Sequence, residues 1–202
     1  MDRKTLMVGI GSFLLIGIVA AGTILFGKPT FRGTTYAEPY PPAPEFTLTR
    51  ADGSSFQLSE MRGKTVLLFF GYTSCPDVCP TTLAELNLAM KQLSEKDANK
   101  VQVLFVTVDP KRDTPEKMQE YVNHFNTNFI GLSGTEDELT PVWNSYGVYR
   151  EIVEGTSALG YLVNHSARVT LIDGKGNLRM TYDFGMPVED IVHDVKLILK
   201  EG

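Results

Sequence analysis

The sequence is poor in the residues that carry thiol and soft-metal chemistry. It has two cysteines and three histidines in 202 residues, so any such chemistry must run through very few side chains. It has no basic stripe either. With a net charge of -5, nucleic acid is excluded as a partner, and the mildly acidic surface serves solubility or steers a basic partner. No internal repeat is visible. No cysteine closes the apolar N-terminal stretch, which speaks against a lipid-modified anchor. No Arg-rich, acid-poor presequence precedes that stretch, which favours a bacterial envelope protein over a mitochondrial precursor.

The N-terminal stretch itself is informative. Leu6 to Phe26 contains no charge, and ~20 apolar residues suffice to cross a bilayer core as a helix. Arg3 and Lys4 precede it, which predicts a cytoplasmic N-terminus and a C-terminal part on the periplasmic or extracytoplasmic side. A cleaved signal peptide is the competing reading, but the apolar run continues past Ala20-Ala21-Gly22 to Phe26, beyond a typical signal core. Residues 1–27 are therefore expected to be a single-pass anchor in the cytoplasmic membrane. Residues 28–44 hold Pro29, Pro39, Pro41, Pro42 and Pro44 and read as an extended, semi-rigid tether. Residues 45–202 remain for one domain, with 43% hydrophobic and 21% charged residues over the whole chain, an ordinary composition for a folded protein.

Within that domain the pattern alternates. Phe46-Thr47-Leu48 and Phe56-Gln57-Leu58 flank a Gly-containing turn and predict a hairpin. Thr65 to Phe70 and Val101 to Val108 are continuous apolar runs, the signature of strands buried on both faces. Leu83, Leu86, Met90 and Leu93 recur at helical spacing, with Pro80 suited to the first helical position. Asp113-Thr114-Pro115-Glu116 is a helix start, continued by Tyr121, Val122 and Phe125. Phe129 to Leu132 predicts a short strand and Thr135 to Tyr146 a helix. Gly147 to Val153 and Ala167 to Asp173 read as strands. A turn at Asp173-Gly174-Lys175-Gly176 returns the chain along Leu178 to Phe184, and Pro187 to Lys200 closes as an amphipathic helix. This order predicts an α/β domain of thioredoxin-like type, a central mixed sheet flanked by helices.

The two cysteines stand together in Cys75-Pro76-Asp77-Val78-Cys79. They follow a buried strand and precede a helix, the position where open α/β sheets place their sites. A helix N-terminus favours the thiolate. Three uses are open: a structural disulfide, a redox pair, or a soft-metal site. A disulfide across so small a loop stabilises by only ~2 kcal/mol on the chain-entropy estimate. The usual redox motif has two intervening residues rather than three. Thiolates select Cu(I) or zinc, and imidazole suits either, so a third ligand decides. His124 and His193 fall within helical patterns and read as surface or boundary residues. His165, in Tyr161-Leu162-Val163-Asn164-His165-Ser166, lies at the entry to a late strand, and in thioredoxin-like folds the loop at that place packs over the cysteine pair.

Gly71-Tyr72-Thr73-Ser74-Cys75-Pro76-Asp77-Val78-Cys79-Pro80 resembles the hallmark of the Sco/SenC family. Val106 to Glu116 resembles that family's second block and Tyr161 to Ser166 its histidine block, in family order, over roughly Phe46 to the end. The resemblance implies that Cys75, Cys79 and His165 ligate copper, as Cu(I), Cu(II) or both. It implies a metallochaperone that helps assemble the binuclear copper site of cytochrome c oxidase subunit II, supplied by a copper donor and kept reduced by a thiol reductase. The alternative is a thiol:disulfide oxidoreductase using Cys75 and Cys79 as its redox pair, for which His165 would be dispensable. No motif of a thiol peroxidase is present. Many family members carry an acidic residue directly before the histidine, and Asn164 departs from that, which is expected to weaken metal binding or alter its oxidation-state preference. Asp109, at the end of the second buried strand, is a candidate partner of the ligands, or else a cap for the adjacent turn. Asp77 is expected to face solvent, Arg112 and Asp113 to pair locally or shape a docking surface, and Trp143 and Phe129 to sit in the core.

Overall fold

The computed structural model describes residues 30–202 except 158 and 159. The apolar stretch expected to be an anchor lies outside the described residues. Among the described residues, no helix is long and apolar enough to cross a membrane. Phe31–Gly202 form one compact unit.

Two seven-residue strands dictate the layout. β4 (Thr65–Gly71) and β5 (Val101–Thr107) are buried at every position, so both faces of the sheet must be covered. They pair in parallel, Leu68 opposite Leu104. A parallel pair needs a long crossover, supplied by α1 (Val78–Gln92) and the short α2 (Glu95–Ala98). Leu83 and Leu86 of α1 are fully buried. β6 (Ile130–Leu132) adds in parallel to β5 after α3 (Pro115–Asn123), whose N-cap Thr114 accepts from Lys117 N–H. α4 (Glu136–Ser145) follows, its first turn closed by reciprocal bonds between Thr135 and Glu138.

On the other side of β4 the sheet turns antiparallel. β9 (Arg168–Ile172) pairs with β4, and β10 (Leu178–Asp183) pairs with β9. The mixed sheet, with β1 (Thr34–Thr35) at its edge, runs β1-β10-β9-β4-β5-β6. α5 (Val188–Glu201) packs on α1 and β4. β2 (Thr47–Thr49) and β3 (Ser55–Gln57) form the early hairpin. β7 (Arg150–Ser157) and β8 (Gly160–His165) form a second two-stranded sheet of their own. Phe129 and Trp143 are core residues, and Trp143 Nε1 donates to Thr107 O at 3.0 Å. This is a thioredoxin-like mixed α/β fold.

Three expectations need correction. The proline-rich segment is not a free tether from Phe31 onward. β1 pairs with β10, Ala43 N–H donates to Gly176 O and Leu178 N–H to Pro41 O. The buried Asp194 carboxylate accepts the N–H groups of Arg32 (3.0 Å) and Gly33 (2.8 Å). Prolines suit such an edge because they leave few donors to satisfy. The cysteine helix begins at Val78, so Pro80 is its third residue and not its first. That is tolerated because the first four N–H groups of a helix have no intrahelical partner. The histidine block is a strand, β8, rather than a loop, because Arg150 to Val153 pairs with it residue by residue.

Asp194→Ala removes the acceptor for two backbone donors. It is expected to lower stability by about 2 kcal/mol and to expose residues 31–44 to limited proteolysis. Unchanged denaturant midpoint and unchanged cleavage would show that the segment is held by its strand pairing alone.

Candidate metal centre

The centre is assembled where β4 ends. Gly71 closes the strand, and a Cβ there would lie 2.7 Å from Cys79 Sγ. The missing side chain is what lets the sulfur settle against the sheet. Cys79 is wholly buried and Cys75 is half-buried. The N-cap position of α1 is Asp77, which makes no side-chain capping bond. Cys75 Sγ instead accepts the N–H of Cys79 at 3.4 Å, so the sulfur takes over the capping role at the positive end of the helix. No disulfide joins the two cysteines.

β8 brings the third group. His165 Nε2 lies 3.5 Å from Cys79 Sγ. Its Nδ1–H donates to Ser166 O at 3.0 Å, which leaves the Nε2 lone pair directed at the sulfurs. The ring of Tyr72 meets the His165 ring edge-on, centroids 5.7 Å apart, and the Tyr72 hydroxyl accepts Val163 N–H at 3.3 Å. The ligand atoms of Cys75, Cys79 and His165 all lie within 4.8 Å of one another. Cys75 and His165 border a cleft of about 220 Å³ lined also by Tyr72, Pro76, Asp77, Leu162 and Asn164, while Cys79 is buried and does not line it.

The two sulfurs are electrostatically unequal. The Cys79 thiol donates to Cys75, and together with the N–H groups of Cys79 and Asp77 it holds Cys75 down to about 4. Cys79 is pushed up by that same hydrogen bond and by burial. Cys75 is thus the standing thiolate and Cys79 the protonated partner. Two sulfurs and one imidazole nitrogen are a soft donor set, and among the described residues no fourth side chain of ligating type joins the group.

Of the other candidates, Asp77 is exposed. His124 is exposed at the end of α3, and His193 bonds Asp194; neither joins the group formed by Cys75, Cys79 and His165. Asn164 is exposed, on the alternate side of β8 from His165, so the ring's orientation owes nothing to it. Asp109 is fully buried, but its carboxylate receives Arg112 Nε and the Tyr161 hydroxyl (2.7 Å), not His165. Its backbone carbonyl accepts from Arg112 and Asp113 and closes the turn. Asp113 turns inward and is not paired with Arg112: it takes Thr73 N–H at 3.1 Å, Thr73 Oγ1 at 2.6 Å and Thr107 Oγ1 at 2.9 Å. It ties the cysteine loop to β5. Burial raises its pKa above the ordinary carboxylate value.

The roles of Gly71, Tyr72, Asp113 and the Ser166 carbonyl were not assigned from sequence. A glycine ending a buried strand directly before the cysteine block was the available signal for the first. The carbonyl leaves no signal in sequence.

Comparison with known proteins places this geometry. The SCO1/SenC family model matches residues 34–200. A SCO2-like protein from Rickettsia felis is 34% identical over 176 residues, covering 85% of this chain and 82% of the relative. The apo Sco1 protein of Thermus thermophilus superposes with a TM-score of 0.76 at 36% identity, covering 85% of this chain and 99% of that one. ScoI of Arabidopsis thaliana, solved with copper bound, superposes with a TM-score of 0.74 at 33% identity, covering 79% and 99%.

With reduced, metal-free protein and limiting iodoacetamide, Cys75 is expected to be alkylated well before Cys79. Because its pKa is lowered to about 4, its thiolate persists as pH falls from 8 to 5, and the rate declines only on approach to pH 4. Equal labelling of both cysteines, or a rate that drops through pH 8, would contradict the assignment.

Proposed function

The chain belongs to the SCO1/SenC family, and we propose that it is a copper metallochaperone whose ligands are Cys75, Cys79 and His165. The observation that carries this reading is the convergence of those three ligand atoms within 4.8 Å, with Cys75 and His165 facing a cleft. The donor set fits copper: Cys75 is already ionised, His165 presents Nε2 to the sulfurs, and Cys79 must lose its proton on loading. Copper is the cargo, and Cu(I) or Cu(II) are both admitted by two sulfurs and one nitrogen.

The residues explain how cargo is held and released. Cys79 is buried against Gly71, while Cys75 is half-exposed at the loop and faces an incoming partner. Three protein ligands leave room for a partner's ligand, so copper passes by exchange without free release. Both cysteines must be reduced, so a thiol reductase and a copper donor belong to the system. The client, by the family resemblance, is the binuclear copper site of cytochrome c oxidase subunit II. An anchor over residues 1–27 would keep the domain, which begins near Phe31, at the outer side of the cytoplasmic membrane beside such a client.

A second reading is favoured by one observation, the inequality of the sulfurs. An ionised, accessible Cys75 and a buried, protonated Cys79 suit thiol–disulfide exchange. Cys75 would attack a client disulfide and expel one client thiolate, and Cys79 would then displace the other, leaving a Cys75–Cys79 disulfide and a reduced client. This chemistry makes no use of His165.

The discriminating experiment measures anaerobic binding of Cu(I) and Cu(II) by the reduced chain and by His165→Ala. The metallochaperone reading expects one copper per chain in the wild type and at least ~10-fold weaker binding in the variant. Equal weak binding by both, with ready reduction of a client disulfide, would leave the oxidoreductase.

A further inference from the structure

His165 sits on a hairpin that shares no backbone ladder with the central sheet. Its height above the cysteines is therefore set by side chains reaching across from the sheet's rim. On β8, Tyr161, Val163 and His165 share one side and Leu162 and Asn164 the other. Val163 is buried, and Asn164 is exposed. The inward side is held at three places. Tyr72 takes Val163 N–H. Arg150 on β7 donates Nε to Val108 O and lies over the Trp143 ring, 4.7 Å from its centroid. The third and most elaborate hold is at Tyr161.

There Arg112 uses two edges of its guanidinium at once. Nε donates to the fully buried Asp109 carboxylate, and Nη1 donates to Tyr161 O at 2.9 Å. The guanidinium carbon lies 3.9 Å from the Tyr161 ring centroid and 5.6 Å from that of Tyr72, the ring that abuts His165. The Tyr161 hydroxyl returns to the other oxygen of Asp109 at 2.7 Å. Asp109 and Arg112 belong to the turn directly after β5, so the grip is referred to a rigid core strand.

We propose that Arg112 is a positioning residue: gripped by Asp109, it clamps β8 through Tyr161 and thereby holds His165 Nε2 over the two sulfurs. The proposal rests on the reading that the three residues bind copper together. It assigns Asp109 a role through Arg112 and not through the imidazole. The arginine is specific to the task. A lysine can neutralise Asp109, but a single ammonium cannot bond the carboxylate and the Tyr161 carbonyl as a planar fork or stack on the rings. Loosening the hairpin makes His165 order itself when metal binds, and that ordering is subtracted from affinity. Partners one step removed from a metal ligand typically carry 10–100-fold in affinity.

The test uses the full chain, reduced and anaerobic, titrated with copper against a competing chelator. Four proteins are compared: wild type, Arg112→Lys, His165→Ala and the double variant. Arg112→Lys keeps a cation beside Asp109, so the fold is retained. It is expected to bind copper about 10-fold more weakly than wild type. The same substitution in the His165→Ala background is expected to change affinity less than about 2-fold, since its effect runs through the missing ring. In the metal-free proteins, amide exchange along β8 should quicken in Arg112→Lys while the Cys75 alkylation rate stays at the wild-type value. Wild-type affinity in Arg112→Lys, or the same loss in both backgrounds, overturns the clamp. Wild-type affinity in His165→Ala would sink the copper-ligand reading instead, and the β8 exchange rates would still decide whether the clamp exists.

Discussion

The site depends on the placement of one sulfur. Cys79 Sγ is buried in the first turn of α1, against the backbone of Gly71, where any Cβ would collide with it. β4 is buried along its whole length, and its end at Gly71 is paired to Thr107 of β5. Everything else converges on that point. The α1 terminus presents an N–H to Cys75, Asp113 ties the intervening loop to β5, and β8 lowers His165 from above. One buried and one half-exposed sulfur is the arrangement that the proposed holding and handing over of copper requires.

The inequality of the sulfurs follows from the same placement and links two chemistries. The shared proton stays on Cys79, raised by its hydrogen bond to Cys75 and by burial, and Cys75 is ionised because the Cys79 thiol and the N–H groups of Cys79 and Asp77 donate to it. A thiolate aimed outward is ready for a metal, and equally ready for a disulfide. Metal loading and thiol redox state therefore compete for the same pair of electron-rich atoms. On the proposed function, only the imidazole distinguishes the two uses, and His165 and whatever positions it would carry the specificity of the site.

Much of this was legible in the sequence. Continuous apolar runs marked β4 and β5, and the cysteines fell at the strand-to-helix junction that the fold reserves for chemistry. His165 was singled out from three histidines by its place before a late strand. What was not legible came from long-range pairing. The segment from Phe31 to Pro44 is proline-rich and was read as a tether, yet Asp194, more than 150 residues on, supplies the acceptor that fastens it. Tyr161 to Ser166 lies where the sequence places a loop before a late strand; only its partner from Arg150 makes it a strand. Asp109 was weighed as a partner of the ligands or a turn cap. Its backbone caps the turn, while its carboxylate meets an arginine whose reach could not be seen in sequence.

The most direct test of the account is X-ray absorption at the copper edge on the loaded full-length chain and on its His165→Ala variant. The account predicts two sulfur scatterers and one imidazole nitrogen in the wild type, with the imidazole signature lost in the variant. A spectrum with no imidazole contribution, or one that is the same in both proteins, would contradict it.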